Sequence, residues 1–309
     1  MTGASLYPLY NNLSCPFEWS KYSCAHQRLP GAELSRQFAL EHLEQIRGAA
    51  AALASANGTR VWLIGDSLVR QIFIAIACAG AATLVRSHVN WSKYWPCGST
   101  PKADCVVRGV HSGFDIGSAV WPGGFELQYT PIAGSPHFSE PGIIHRLAQE
   151  ASEGGAPSFG NADAPPGQPR STSRAGDVIV VNSGIHKPSS KGVLERVVEL
   201  RRRLGGGGAR VLYLTTPTQH YNTSRGQFDA DADAGGACVP RVASNPRAEL
   251  ERAILRPGNV SLLEYDDLDL GALHIGRGND CSHYCMPGKP DEVAARLVDA
   301  VLRPGHART

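Results

Sequence analysis

The sequence predicts an α/β fold, a three-layer sandwich with a central, mainly parallel sheet. Three observations support this prediction. A short apolar strand at 61–64 leads directly into an apolar helix at 68–79. Strand and helix patterns then alternate between residues 177 and 303, and a chain of 309 residues with 42% hydrophobic content can bury a sizeable core. We expect a single domain over 1–309.

The N-terminal part of the chain, residues 1–58, is expected to wrap around the core as a segment. Within it, apolar residues at helical spacing predict an amphipathic helix over 33–53. The helix at 68–79 is apolar nearly all round, which predicts that it is buried.

The sequence also predicts the other strands and helices and an irregular insertion. Further strands are predicted at 83–87, 104–110, 125–130 and in the stretches that begin at Asp177, Arg210 and Asn259. Helices are predicted at 190–204, 246–255 and 291–303. Residues 88–176 are expected to form an irregular insertion or minor lobe, since they include a long stretch of loop composition at 153–176.

The charge pattern argues against two classes of partner. A formal net charge of +2 provides no global field that attracts nucleic acid or an anionic membrane. The basic residues Arg201–Arg203 end a predicted helix, where cations suit the helix dipole. The acidic string that begins at Asp229 is similar to the start of a calcium loop but lacks its final Glu, so we interpret it as a surface loop. We expect neither a nucleic-acid partner nor a metal.

Cysteines and glycosylation sequons indicate an oxidising compartment. The chain has eight cysteines, an even number that favours disulfide bonds. Five N-glycosylation sequons are present, at Asn12, Asn57, Asn90, Asn222 and Asn259. The sequence shows neither a signal peptide nor an 18-residue apolar run, so we expect any signal or membrane anchor to lie outside it.

The first candidate for chemistry is Ser67, which follows Gly65 and Asp66 where the strand ends and the helix begins. Free amides of Ser67 and Leu68 in the first helical turn would stabilise a developing negative charge, which suits a nucleophile. The alternative interpretation is that Asp66 and Ser67 only cap the helix.

A serine nucleophile needs a base, and the sequence around His283 offers one. Asp280 lies three residues earlier, close enough to orient the imidazole, and Cys281 and Cys285 would anchor the loop. The rival interpretation is a zinc site built from the same residues, but an oxidising compartment argues against free thiolates. Asn182 follows a predicted strand, and its amide is a candidate oxyanion donor or an ordinary turn former.

These residues carry a family resemblance. Gly65-Asp66-Ser67-Leu68 with Arg70-Gln71, and the stretch from Asp280 to Gly288, resemble the GDS and DxxH motifs of plant trichome birefringence-like proteins. That PC-esterase family is related to the SGNH/GDSL hydrolases and includes polysaccharide O-acetyltransferases. The segments "YPLYNNLSCPF" and "TTPTQHYNTSRGQFDADADAGGAC" are also similar to family blocks, so the resemblance spans most of the chain.

The resemblance implies an SGNH-like catalytic domain with a Ser-His-Asp triad. Ser67 would be the nucleophile, His283 the general base and Asp280 its orienting acid, with Asn182 in the oxyanion hole. It also implies disulfide bonds that staple the N-terminal segment to the core. The implied pairs are Cys15 with Cys78, Cys97 with Cys105, and Cys24 and Cys238 with Cys281 and Cys285 in an order left open.

One segment departs from the family. Residues 182–187 read Asn-Ser-Gly-Ile-His-Lys, where plant members usually have Asn-(Ser/Thr)-Gly-His-Trp-Trp. The loss of two aromatic residues predicts a different sugar-facing groove. Candidate pocket residues are Asp66, Arg70, His186 and His220, although His220 is equally interpreted as a structural histidine and Arg70 as an ion-pair partner.

The leading hypothesis is an O-acetyltransferase that moves an acetyl group through an acyl-serine onto a carbohydrate hydroxyl. It requires no bound cofactor but an acetyl donor, such as acetyl-CoA or an acetylated carrier. The alternatives are a carbohydrate acetyl esterase with the same triad, in which water is the acceptor, and a glycan-binding module with a vestigial triad. We expect the secretory-pathway lumen, with the Golgi as the leading compartment and secretion as the alternative.

Overall fold

The structure is a computed structural model. It describes residues 44–53, 56, 58–90, 116–131, 158–159, 171–172, 176–185, 191–206, 208–221, 238, 245–265, 281–286 and 288–303. Over these residues the chain forms a seven-stranded mixed sheet, a separate two-stranded sheet and five α-helices. No helix among them is both long and apolar enough to cross a bilayer.

The elements follow one another in this order. They are α1 (44–53), β1 (Arg60–Gly65), α2 (Ser67–Ala79), a 3₁₀ turn (Ala81–Thr83), β2 (Arg86–Asn90), β3 (Ile116–Val120), β4 (Glu126–Pro131), β5 (Ser158–Phe159), β6 (Ser171–Thr172), β7 (Val178–Val181), α3 (Lys191–Gly205), β8 (Arg210–Leu214), α4 (Pro246–Leu255), β9 (Ser261–Leu263) and α5 (Lys289–Leu302). The large sheet has the strand order β2-β3-β4-β1-β7-β8-β9, and β5 pairs with β6.

Most of the large sheet is parallel, which confirms the predicted α/β class. Strands β4, β1, β7, β8 and β9 run in one direction, and Leu63 of β1 lies opposite Tyr129 of β4 and Val180 of β7. Only β3 runs against its two neighbours. The carboxyl ends of the five parallel strands therefore meet at one edge of the sheet, where α/β proteins place their sites.

Successive side chains of a strand point to opposite faces of the sheet. Because the strands are apolar on both faces, a helical layer covers each face. Val61 and Leu63 of β1 belong to the core that includes α1, α2 and α5. Trp62 and Ile64 belong to the core on the other face, which includes α3 and α4. The sheet is thus the middle layer of a three-layer sandwich, as predicted.

The predicted minor lobe over 88–176 is only partly separate. Strands β3 and β4 lie inside this range but belong to the large sheet, with β4 directly beside β1. The sequence did not predict β3, since Gly117 and Ser118 interrupt its apolar pattern. The predicted strand at 104–110 and most of the N-terminal segment lie outside the described residues.

Candidate active site

Ser67 is the first residue of α2 and follows the carboxyl end of β1. The turn between them is tight: a Cβ added to Gly65 would lie 2.1 Å from Cγ2 of Val69. Only glycine lets the strand pass so close to the helix it feeds. Ser67 is partly exposed at the carboxyl edge of the sheet, although both its neighbours are buried.

Asp66 holds this turn in place. It is the N-cap of α2, and its Oδ1 accepts a hydrogen bond from the backbone N–H of Leu68 at 3.0 Å. Its Oδ2 accepts one from the backbone N–H of Ile185 at 2.8 Å. Asp66 is 4% exposed, so both bonds lie away from water. The sequence predicted Asp66 to line a pocket. In the structure, its carboxylate joins α2 to the loop after β7.

His283 reaches Ser67 from the far end of the chain. Its Nε2 lies 2.5 Å from the Oγ of Ser67, across a sequence separation of 216 residues. Both side chains are partly exposed. The structure therefore brings together the two residues that the sequence proposes as nucleophile and base. Asp280, the proposed orienting acid, lies outside the described residues.

The residues on either side of His283 are both buried and held by hydrogen bonds. Ser282 Oγ lies 2.7 Å from Nε2 of Gln219, which donates to it, and 3.1 Å from the hydroxyl of Tyr221. The hydroxyl of Tyr284 donates to the carbonyl of Thr218 at 2.9 Å. The segment 218–221, which follows β8, thus supports the loop that presents the imidazole.

A disulfide bond reinforces this loop. Cys238 pairs with Cys281, which fixes one of the pairings that the sequence left open. Cys78 and Cys285 each take part in a further disulfide bond. Because Cys281 and Cys285 both form disulfides, neither offers the thiolate that the alternative zinc site requires. Within the part of the chain that is described, no group of His, Cys, Asp and Glu has the arrangement of a metal site.

Two of the three predicted oxyanion donors are already used, which corrects the sequence-based expectation. The N–H of Leu68 is taken by Asp66. The amide nitrogen of Asn182 donates to the carbonyl of Leu214 at 2.8 Å and to Oγ1 of Thr216 at 3.3 Å, and Asn182 is fully buried. A primary amide has two donors, so none is left for an oxyanion.

The third donor differs from these two. The backbone N–H of Ser67 has no hydrogen-bond partner among the described residues. Such a free N–H is expected in the first turn of a helix, where no preceding carbonyl is available. It lies at the positive end of the α2 dipole, which favours negative charge on a bound group.

Asn182 serves the loop instead. Its Oδ1 accepts a hydrogen bond from the N–H of Gly184 at 2.8 Å, two residues further along. Gly184 has a φ of +82°, a conformation that glycine adopts without strain. Asn182 is thus the turn former that the alternative interpretation described, and it shapes the loop that Asp66 then holds.

A buried polar network lies beneath the same loop. The carboxylate of Glu251 accepts hydrogen bonds from the hydroxyl of Tyr213 and from both the N–H and the hydroxyl of Thr216. The Tyr213 hydroxyl also contacts Oγ of Ser183 at 2.8 Å. Glu251 is fully buried, so these partners replace the water that its charge would otherwise need.

Sequence reasoning missed Arg247, which lies at the start of α4. Its Nη1 donates to the carbonyl of Ile185 at 2.9 Å. Burial lowers the pKa of Arg247 below its ordinary value, and the negative charges of Glu251 and Asp66 act in the opposite direction. Asp66 and Arg247 therefore hold Ile185 by its N–H and its carbonyl. No sequence signal marked this residue, since its partners lie on other elements.

The other predicted residues fall in different places. His220 is buried, and its backbone N–H donates to the carbonyl of Cys281 at 3.1 Å. Arg70 is partly buried in the first turns of α2. Asn259 is exposed, as an acceptor for a glycan must be. Besides Asp280, the residues of the predicted set that lie outside the described part are His186, Asn12, Asn57, Asn222, Cys15, Cys24, Cys97 and Cys105.

Comparisons with known proteins add little to this site. No model of a known protein family matches the chain, and no curated protein matches it significantly. Among solved structures, the chain is similar to the protein YxiM from Bacillus subtilis, with 14% sequence identity and a TM-score of 0.39. The match covers 82% of this chain and 58% of that protein, so this chain spans less than two thirds of its length.

Proposed function

We propose that the protein is a carbohydrate O-acetyltransferase that works through an acyl-serine intermediate. The observation that carries the proposal is the contact of 2.5 Å between His283 Nε2 and Ser67 Oγ, at the carboxyl edge of a parallel sheet. A hydroxyl is a weak nucleophile, and an imidazole within hydrogen-bond distance is what activates it. The carbohydrate acceptor follows from the family resemblance of the motifs around these two residues.

In the first half-reaction, Ser67 Oγ attacks the carbonyl carbon of the acetyl donor while His283 Nε2 takes the hydroxyl proton. The backbone N–H of Ser67 donates to the oxyanion that forms. When the tetrahedral intermediate collapses, the bond to the donor's leaving group breaks, and the imidazolium gives that group its proton. The product of this step is acetyl-Ser67.

In the second half-reaction, a sugar hydroxyl takes the place of the leaving group. Its oxygen attacks the acetyl carbon while His283 Nε2 takes its proton, and the ester bond to Ser67 then breaks. The proton returns to Ser67 Oγ, which restores the enzyme. If water attacks instead, the same residues give an esterase, so the choice depends on which acceptor the site holds.

Mass spectrometry of the intact protein tests the first half-reaction. We expect acetyl-CoA or an activated acetyl ester to add one acetyl group, and peptide mapping to locate it on Ser67. Ser67→Ala should form no adduct at this position, and His283→Gln should form it about 10²- to 10⁴-fold more slowly. An adduct elsewhere, or one that His283→Gln forms at the wild-type rate, would contradict the mechanism.

Adding oligosaccharides to the acetylated protein tests the second half-reaction. Transfer predicts an acetylated sugar and faster loss of the acetyl group from Ser67. Acetate release that no sugar changes would identify an esterase instead. Glycan binding by a protein that no serine-directed probe labels would identify a binding module.

A further inference from the structure

Gln71 is a buried polar residue on α2, four positions after Ser67. Residues at this spacing share one face of an α-helix, so the two side chains leave α2 on the same side. Gln71 is fully buried, and the other buried residues of α2 are apolar or cysteine. A buried amide is costly unless its donor and acceptor both find partners. Its partners therefore indicate why it is there.

Among the described residues, both hydrogen-bond partners of Gln71 belong to the backbone of Tyr284. The Nε2 of Gln71 donates to the Tyr284 carbonyl at 2.7 Å, and the Tyr284 N–H donates to Oε1 of Gln71 at 3.3 Å. A primary amide offers one donor and one acceptor side by side, which matches the N–H and C=O of one residue. The pair is a two-point connection between the helix of the nucleophile and the residue that directly follows His283.

Tyr284 is also held through its side chain. Its hydroxyl donates to the carbonyl of Thr218, and its ring lies 5.7 Å from that of Tyr265, measured between centroids. These contacts attach the loop to the segment after β8 and to the residues after β9. The connection to Gln71 is different, because it attaches the loop directly to α2, the helix that carries Ser67.

We propose that Gln71 is a positioning residue that sets the distance between His283 Nε2 and Ser67 Oγ. The proposal rests on the proposed function, since it gives Gln71 a part in the deprotonation of Ser67. Ser67 and Gln71 occupy successive turns of one rigid helix, and His283 and Tyr284 are adjacent. A shift of the loop that separates His283 from Ser67 therefore also strains the two hydrogen bonds between Gln71 and Tyr284. Within the described part of the chain, Gln71 makes no hydrogen bond to Ser67 or to the imidazole of His283, so it acts through the loop.

A fluorophosphonate probe measures this geometry without requiring the natural substrate. Ser67 Oγ forms a bond to phosphorus, fluoride leaves and His283 takes the hydroxyl proton, as in acylation. The second-order labelling rate, measured well below the melting temperature of each variant, reports how well His283 is placed. A displacement of about 1 Å at a reacting centre can lower the rate by about 10²-fold.

The decisive variant is Gln71→Glu, which preserves the size of the side chain. A protonated carboxyl has a donor and an acceptor, as the amide has, whereas a carboxylate has acceptors only and would repel the Tyr284 carbonyl. Burial raises the pKa of the introduced carboxyl. We expect labelling close to the wild-type rate at the acidic end of the profile and at least about tenfold below it at the alkaline end.

Two further variants serve as controls for this result. Gln71→Leu removes both hydrogen bonds and should label slowly at every pH. Gln45→Glu makes the same chemical change at an exposed position of α1, and it should follow the wild-type profile throughout. If Gln71→Leu does not fold, Gln71→Glu at acidic pH still provides the folded reference.

The outcomes separate the two proposals. A pH-dependent deficit confined to Gln71→Glu supports the positioning role. A wild-type rate for Gln71→Leu at every pH, or for Gln71→Glu above the pH at which its carboxyl ionises, overturns it, and so does a deficit that only follows the loss of folded protein measured by circular dichroism. If the wild-type protein is not labelled at Ser67, the proposed function and the role of Gln71 both fail. Labelling without acetyl transfer to any sugar overturns only the transferase.

Discussion

The carboxylate of Asp66 accepts a hydrogen bond from the backbone N–H of Ile185, 119 residues further along the chain. The same carboxylate caps α2 through the N–H of Leu68. One buried charge thus satisfies two backbone donors that belong to different elements of the site. The position of Ser67 consequently depends on the loop after β7 as well as on its own helix.

We expect Asp66→Ala to lower the free energy of unfolding by about 2 to 3 kcal/mol. It removes a helix cap, and it also leaves the buried N–H of Ile185 without a partner. Urea denaturation measures the change. The difference between Asn245→Asp and Asn245→Ala is the matched control. Both variants lose the hydrogen bond that Nδ2 of Asn245 donates to the carbonyl of Thr216 at 2.7 Å, and only the second also loses the cap on the N–H groups of Arg247 and Ala248. We expect this difference to be about 1 kcal/mol, and a loss for Asp66→Ala that is no larger would contradict the double role of Asp66.

Gly184→Ala should destabilise the protein by more than its backbone conformation alone requires. Gly184 has a φ of +82°, and an added Cβ would lie 2.7 Å from Oδ2 of Asp66. The strained φ costs about 1 to 2 kcal/mol, and moving Asp66 adds the loss of its hydrogen bonds. Thermal and urea unfolding measure the total, and fluorophosphonate labelling of Ser67 should be slower as well.

Gly176→Ala separates these two contributions. Gly176 has a φ of +92°, but nothing lies within 4 Å of an added Cβ, so this variant reports the conformational cost alone. In addition, Gly184→Ala should cost less in an Asp66→Ala background, since the clashing carboxylate is absent there. A penalty for Gly184→Ala that matches Gly176→Ala and is additive with Asp66→Ala would count against the clash.

Glu199 provides a prediction about acid stability away from the site. Two hydrogen bonds, the stronger effect from Arg202 and the next from Arg203, hold the pKa of Glu199 at about 2, below its ordinary value of 4.5. A lowered pKa in the folded state means that the carboxylate stabilises the fold above about pH 4.5 and that this contribution disappears as the pH falls towards about 2. We expect Glu199→Gln to cost about 0.5 kcal/mol near neutral pH, because Arg202 is exposed and water screens its charge.

The measurement compares urea unfolding of Glu199→Gln and wild type as the pH is lowered. The difference between them should shrink through the acidic range, as the wild-type carboxylate takes up its proton. Glu195→Gln on the same helix is the control: Glu195 is 56% exposed and lies 3.7 Å from Lys191, so its removal should change stability less. A difference that grows on acidification would reverse the assigned sign.

Much of the fold could be predicted because it depends on local periodicity. The apolar run of 68–79, the alternation after residue 177 and the bounds of α3 and α4 all follow from patterns within each element. The antiparallel strand β3 was missed for the same reason. Its two neighbours in the sheet stabilise it, and its own residues do not alternate clearly.

The sequence by itself determined the α/β class, the place of Ser67 at the start of α2 and the choice of His283 as its partner, since these follow from strand, helix and motif patterns. Only the tertiary structure decided which polar groups remain available. Whether Leu68 and Asn182 can bind an oxyanion depends on Asp66, Leu214 and Thr216, which compete for the same hydrogen bonds. The Leu68 N–H is taken by Asp66 two residues earlier, whereas the amide of Asn182 is taken by groups 32 and 34 residues further along the chain, which only folding brings near.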